Sequence, residues 1–92
     1  MDTYWVYILR CSDGSLYTGY TKDLPRRLKA HLSGRASKYT RSRLPVTLAH
    51  AETAAGKGGA LKREAKIKKL PRSEKLSLCR AYGARKNMES PH

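Results

Sequence analysis

Ser12-Asp13-Gly14-Ser15 separates two runs of aromatic and β-branched residues, Tyr4–Arg10 (YWVYILR) and Leu16–Thr21 (LYTGYT). Parallel strands need a crossover of a dozen residues or more, so two runs this close must pair as an antiparallel hairpin. The loop admits two registers. A two-residue Asp13-Gly14 turn pairs Leu9 with Thr18 and sends Tyr7 and Tyr17 to opposite faces. A three-residue loop, Ser12-Asp13-Gly14 with Gly14 left-handed, pairs Cys11 with Ser15 and Tyr7 with Gly19, and places both tyrosines on one face.

The remaining chain carries its own punctuation. Asp23 before Leu24–Leu32, Pro25 in the first turn and Gly34 beyond the end predict a helix with Leu24, Leu28 and Leu32 as its buried stripe. On that helix Arg27 and His31 stand one turn apart along an edge of the stripe. Ala36–Arg43 reads as a polar, basic loop, and Val46–Ala51 alternates like a third strand. Gly56, Gly58 and Gly59 then break the chain before a helix from Ala60 to about Leu70, and Pro71 restarts a last helix through about Tyr82. The expected organisation is one domain over residues 1–82 and a basic, flexible tail over 83–92.

Charge narrows the function. The chain of 92 residues has net charge +13, yet residues 1–20 carry −1 and the rest +14. The first hairpin is scaffold, and the remainder is built to meet a polyanion, for which nucleic acid is the expectation. No apolar run approaches the ~20 residues of a membrane span, and no Trp/Phe/Leu face accompanies the basic residues, so a membrane partner is not expected. Cys11 and Cys79 lie far apart without a CxxC pairing, which supplies neither a disulfide framework nor a zinc cluster and suits a reducing cytoplasm.

Few residues are placed for chemistry. Helical spacing puts Ala60, Glu64, Ile67 and Leu61 on one arc, so Glu64 is a carboxylate on an apolar face. It reads either as one half of an ion pair with Lys68 or as a ligand for a hard divalent cation. Arg27 offers a planar fork for a phosphate, and His31 a group able to orient water or protonate a leaving oxygen. Tyr7 and Tyr17, taken singly, are ordinary core aromatics. Arg26, Lys38, Tyr39, Arg41, Lys66 and Lys69 supply the basic and aromatic surface for nucleic acid.

Taken in order, Trp5-Val6-Tyr7, Tyr17-Thr18-Gly19, Arg27 with His31, the run ASKYTR and Ala60-Leu61-Lys62-Arg63-Glu64 resemble the GIY-YIG nuclease domain. The likeness is greatest to its small stand-alone bacterial members. Trp5 stands where the first motif has Gly, Thr18 where the second has Ile, and no Asn matches the one some members carry after the metal-binding Glu.

The resemblance implies an α+β fold, a small three-stranded antiparallel sheet flanked by helices. It implies hydrolysis of DNA phosphodiester bonds with one Mg²⁺ or Mn²⁺ held by Glu64, in DNA repair or processing, with branched, nicked or single-stranded forms favoured over plain duplex, and no small-molecule cofactor. Arg27 matches the phosphate-binding arginine, Tyr7 and Tyr17 the motif tyrosines, and His31 a position held by His or Tyr. Because both phenols must then face one phosphate, the three-residue loop is the expected register. A non-catalytic DNA- or RNA-binding protein on the same scaffold is the alternative.

Overall fold

Seven elements follow one another in the computed structural model, which describes residues 2–89: β1 (Thr3–Arg10), β2 (Leu16–Thr21), α1 (Leu24–Leu32), α2 (Lys38–Arg41), β3 (Thr47–Ala55), α3 (Gly56–Lys68) and α4 (Arg72–Glu89). The strands form one antiparallel sheet in the order β2-β1-β3. No helix among the described residues is long and apolar enough to cross a membrane.

The hairpin takes the three-residue loop. Cys11 N–H donates to the Ser15 carbonyl at 2.9 Å, Gly14 N–H donates to the Cys11 carbonyl at 2.9 Å, and Gly14 sits at φ +85°, where a side chain is strained. Asp13 holds the loop from inside, accepting from Ser15 N–H at 3.0 Å and Ser15 O–H at 2.6 Å. Tyr7 therefore stands opposite Gly19 and Leu9 opposite Tyr17.

Alternation along β1 divides the core into two layers. Tyr7, Leu9 and Cys11 pack with Leu24, Val46 and Ala51, with Tyr17 and Leu28 against them; Val6 and Ile8 pack with Ala60 and Ile67 of α3 and Cys79 of α4. Val6, Ile8 and Leu9 are fully buried, each worth about 1.5–3 kcal/mol in transfer free energy. A central strand covered on both sides reads as an uninterrupted apolar run, as Val6–Leu9 does.

Several elements depart from the sequence reading. In α1, Asp23 caps the Arg26 N–H as expected, at 3.1 Å, but Leu32 is 54% exposed and fully buried His31 takes the inward position instead. The expected loop 36–43 contains α2, one helical turn capped by Ser37 Oγ on the N–H groups of Tyr39 and Thr40. β3 starts one residue after Val46 and runs on to Ala55, because the ladder with β1 extends to Thr3 and supplies hydrogen bonds that the segment's composition does not advertise. A bulge at Ala49 shifts its register, since Ile8 faces His50 while Leu9 faces Leu48. α3 begins at Gly56 rather than Ala60. α4 passes through Gly83 to Glu89 instead of ending near Tyr82; a single glycine costs a helix only about 1 kcal/mol. The expected tail is thus helical over 83–89, and residues 90–92 lie outside the described residues.

Candidate active site

The register of β1 and β2 puts two phenols on the face covered by α1 and α2, and α1 lowers His31 between them. Tyr7 Oη lies 2.9 Å from His31 Nε2, and His31 Nδ1 lies 2.9 Å from Thr40 Oγ1. The Thr40 hydroxyl donates in turn to the Ser37 carbonyl at 3.4 Å. A carbonyl can only accept and a hydroxyl has one proton to give, so this far end orders the whole chain. Thr40 must accept from His31 Nδ1–H, which leaves Nε2 as the acceptor of the Tyr7 phenol.

Burial, assisted by the Arg27 guanidinium, pushes the His31 pKa below its usual 6.5, consistent with a neutral ring. Burial above all, with the Tyr17 and Glu64 charges and against the opposing Arg27, pushes the Tyr7 phenol up to about 12. All five expected site residues, Tyr7, Tyr17, Arg27, His31 and Glu64, thus meet in one neighbourhood. Tyr17 presents its ring edge-on to His31 at 5.3 Å and stacks on Tyr39 at 6.0 Å. Gly19 is required by proximity: a Cβ there would lie 2.7 Å from Tyr7 Oη and 2.8 Å from its Cζ.

Glu64 projects from α3 with its side chain 16% exposed, and Lys68 Nζ stands 3.5 Å from Oε2. Both sequence readings of this carboxylate therefore have a footing. The Lys68 contact is longer than a charge-assisted hydrogen bond of about 2.7–2.9 Å, and it leaves oxygen lone pairs for a hard cation. The apolar arc of α3 is narrower than expected, since Ala60 and Ile67 are buried while Leu61 is 42% exposed. No three His, Cys, Asp or Glu side chains converge among the described residues, so Glu64 is a lone carboxylate donor.

The expected nucleic-acid residues fall into three places. Arg26 neighbours Arg27 on the exposed side of α1; Lys38, Tyr39 and Arg41 are exposed on α2, beside His31's partner Thr40; Lys66 is exposed on α3 and Lys69 at its C-cap. Sequence reasoning did not assign Thr40 a role, and Ser37 before a short helical turn was its available signal. It also missed Arg43, whose guanidinium carbon lies 3.8 Å from the centre of the Tyr39 ring and whose Nε donates to Asp13 Oδ2 at 3.0 Å. Arg43 thereby fastens the hairpin loop to α2.

A second buried polar group was equally unforeseen. His50 Nε2 lies 2.7 Å from Glu52 Oε1, and Arg63 of α3 donates to Glu52 through Nε at 2.7 Å and a terminal nitrogen at 3.1 Å. Burial alone would raise the Glu52 pKa, but the hydrogen bonds from Arg63 and His50 together hold it below the usual 4.5.

The chain resembles known proteins over most of its length. The family model described as the GIY-YIG catalytic domain matches residues 3–77. A UPF0213 protein of Syntrophus aciditrophicus is 53% identical over 79 residues, covering 85% of this chain and 91% of its own. A UPF0213 protein of Halobacterium salinarum is 51% identical over 73 residues, covering 79% and 95%. Among solved structures, the solution NMR structure of a UPF0213 protein from Bacillus halodurans superposes with a TM-score of 0.59 at 42% identity, covering 95% of this chain and 94% of the other. A solution NMR structure of a protein from E. faecalis gives 0.58 at 38% identity, covering 100% and 94%.

Proposed function

Since this chain belongs to the GIY-YIG family, we propose that it is a DNA endonuclease that hydrolyses phosphodiester bonds with one divalent metal ion. The observation that carries this reading is the ordered chain Tyr7 to His31 to Thr40, set beside a cationic fork and a lone carboxylate. A core histidine needs neither neighbour.

Glu64 would hold the ion. One carboxylate oxygen beside a substrate phosphate suits Mg²⁺ or Mn²⁺, because Mg²⁺ keeps most of its waters and takes few protein ligands. Such an ion supplies charge neutralisation on the phosphate oxygens when bound. Arg27, exposed on α1, binds a phosphate oxygen pair bidentately and stays charged as negative charge grows in the transition state.

Tyr7 and His31 handle the proton. With its pKa at about 12, Tyr7 is not a free tyrosinate at neutral pH. It works as a relay: the attacking water gives its proton to Oη as the phenolic proton moves to His31 Nε2, so the neutral imidazole is the base. Tyr7 is fully buried, and this route therefore requires substrate binding to open a path one water wide to Oη.

Lys68 beside Glu64 favours a rival reading, a non-catalytic nucleic-acid binder. Glu64→Gln separates the two, because it keeps size and removes charge. In nicking assays on several DNA forms with Mg²⁺ or Mn²⁺, the variant is expected to lose about 100-fold or more in rate, while folding and salt-dependent DNA binding persist. Wild type that nicks nothing under either metal, or a variant that cuts as well as wild type, leaves only the binder.

A further inference from the structure

Beside the catalytic cluster, the outer ends of β1 and β2, the exposed side of α1 and the first turn of α3 enclose a cleft of about 510 Å³ lined by Tyr4, Tyr20, Lys22, Arg26, Arg27 and Lys57. That is the size of a small-ligand site, which runs from about 300 to 1,000 Å³. Its charge is strongly one-sided. Arg26, Arg27 and Lys57 make no ion pair among the described residues, and Lys22 meets only exposed Asp2, at 3.1 Å. The one carboxylate in the lining, Asp23, faces the helix end, where it accepts from Arg26 N–H.

The cleft also has an aromatic wall. Tyr4 and Tyr20 are partly exposed, with ring centroids 6.4 Å apart and planes at 37°. Cations around flat π surfaces fit a group that is itself a phosphate joined to a flat heterocycle. Arg27 fixes where that group comes from. It lines the cleft, and its charge also acts on Tyr7 and His31, so a phosphate held by Arg27 lies at the cluster and the cleft receives what is attached to it.

We propose that this cleft binds the nucleotide adjoining the scissile phosphate with its base unpaired against Tyr4 and Tyr20, and that these two tyrosines are the groups through which single-stranded or flapped DNA is preferred over duplex. A base inside a duplex is stacked on both faces and cannot reach the tyrosines without first being unpaired. The inference rests on the nuclease reading for the identity of the phosphate, but its test needs no cleavage.

The test is fluorescence anisotropy without metal, at one salt concentration. It uses the full chain with an oligo-dT probe of about 15 nucleotides, a duplex of equal length and an oligo-rU probe. Wild type should bind oligo-dT at least about fivefold more tightly than duplex. Tyr20→Leu should remove that advantage, an expected loss of about tenfold on oligo-dT, the size of one base stack, with duplex affinity unchanged. Tyr20→Phe should retain it.

Lys57→Glu, on an exposed side chain, should weaken oligo-dT more than duplex, and it decides the matter if Tyr20→Leu fails to melt cooperatively. No single-strand advantage in wild type, an advantage for oligo-rU alone, or equal losses on both DNA probes in a folded variant overturns the proposal. A lost preference with cleavage intact removes the cleft and keeps the nuclease. A kept preference with no cleavage removes the nuclease and keeps the cleft.

Discussion

His31 and His50 are equally hidden, at 0% and 3% exposure, on opposite faces of the same sheet. Their partners differ. His31 is bonded at both nitrogens to hydroxyls, a phenol on one side and a threonine on the other, with Arg27 close enough to act on its charge. His50 is bonded at Nε2 to Glu52, which Arg63 already holds by two hydrogen bonds, and its Nδ1 has no partner among the described residues. One imidazole lies in a chain through which a proton can move. The other ends in a closed ion pair that joins β3 to α3. Burial of a titratable group is thus no mark of function here; the chemistry of its neighbours is.

Three measurements test this contrast. His31→Phe keeps a ring in the core but removes both hydrogen bonds, and should lower the cleavage rate by about 10²–10⁴-fold, the range of general acid–base catalysis. Thr40→Val, acting only through the orientation of His31, should cost about tenfold, with Thr40→Ser restoring the rate. Nicking at wild-type rate by His31→Phe would erase the distinction. Glu52→Leu strands Arg63 and leaves His50 with both nitrogens unpartnered. Because Glu52 is 26% exposed, the expected stability loss is about 1–3 kcal/mol. Thermal melts should then fall by about 5–20 °C, with cleavage by the folded fraction unchanged.

The smallest effect is on acid stability. His31 binds a proton more weakly folded than unfolded, so its contribution is complete above 6.5 and is lost as pH falls from there toward its folded value. Glu52 likewise contributes fully above 4.5 and loses that contribution below it. Urea melts across this range should show two successive losses. The upper loss should be diminished in His31→Phe and the lower in Glu52→Leu.

Where one residue type settles a local geometry, the sequence was readable. Asp23 and Pro25 started α1, whereas Gly14 fitted either hairpin loop and left the register to the family pattern. The five candidate residues that the structure brings together were singled out through an ordered pattern rather than through any one of them. What was hidden depends on partners distant in sequence. His31 displaces Leu32 from the inward position because Tyr7 and Thr40 satisfy its nitrogens, and neither is on its helix. Glu52 falls just past the expected third strand, and its partner Arg63 arrives from α3. Gly58 and Gly59 read as chain breakers, yet α3 begins before them because the helix is held by packing rather than by propensity.

β1 is the middle strand of the sheet and the first to leave the ribosome, which gives its two edges different histories. The edge toward β2 closes as soon as the loop after Arg10 can turn back. The other edge stays open until residues 47–55 have been made, and it flanks the most apolar stretch of the chain, Val6–Leu9. An unpaired edge of that composition is a template for a neighbouring chain. The nascent hairpin is therefore the point at which aggregation competes with folding, and a fragment ending before β3 should be sticky where the complete sheet is not.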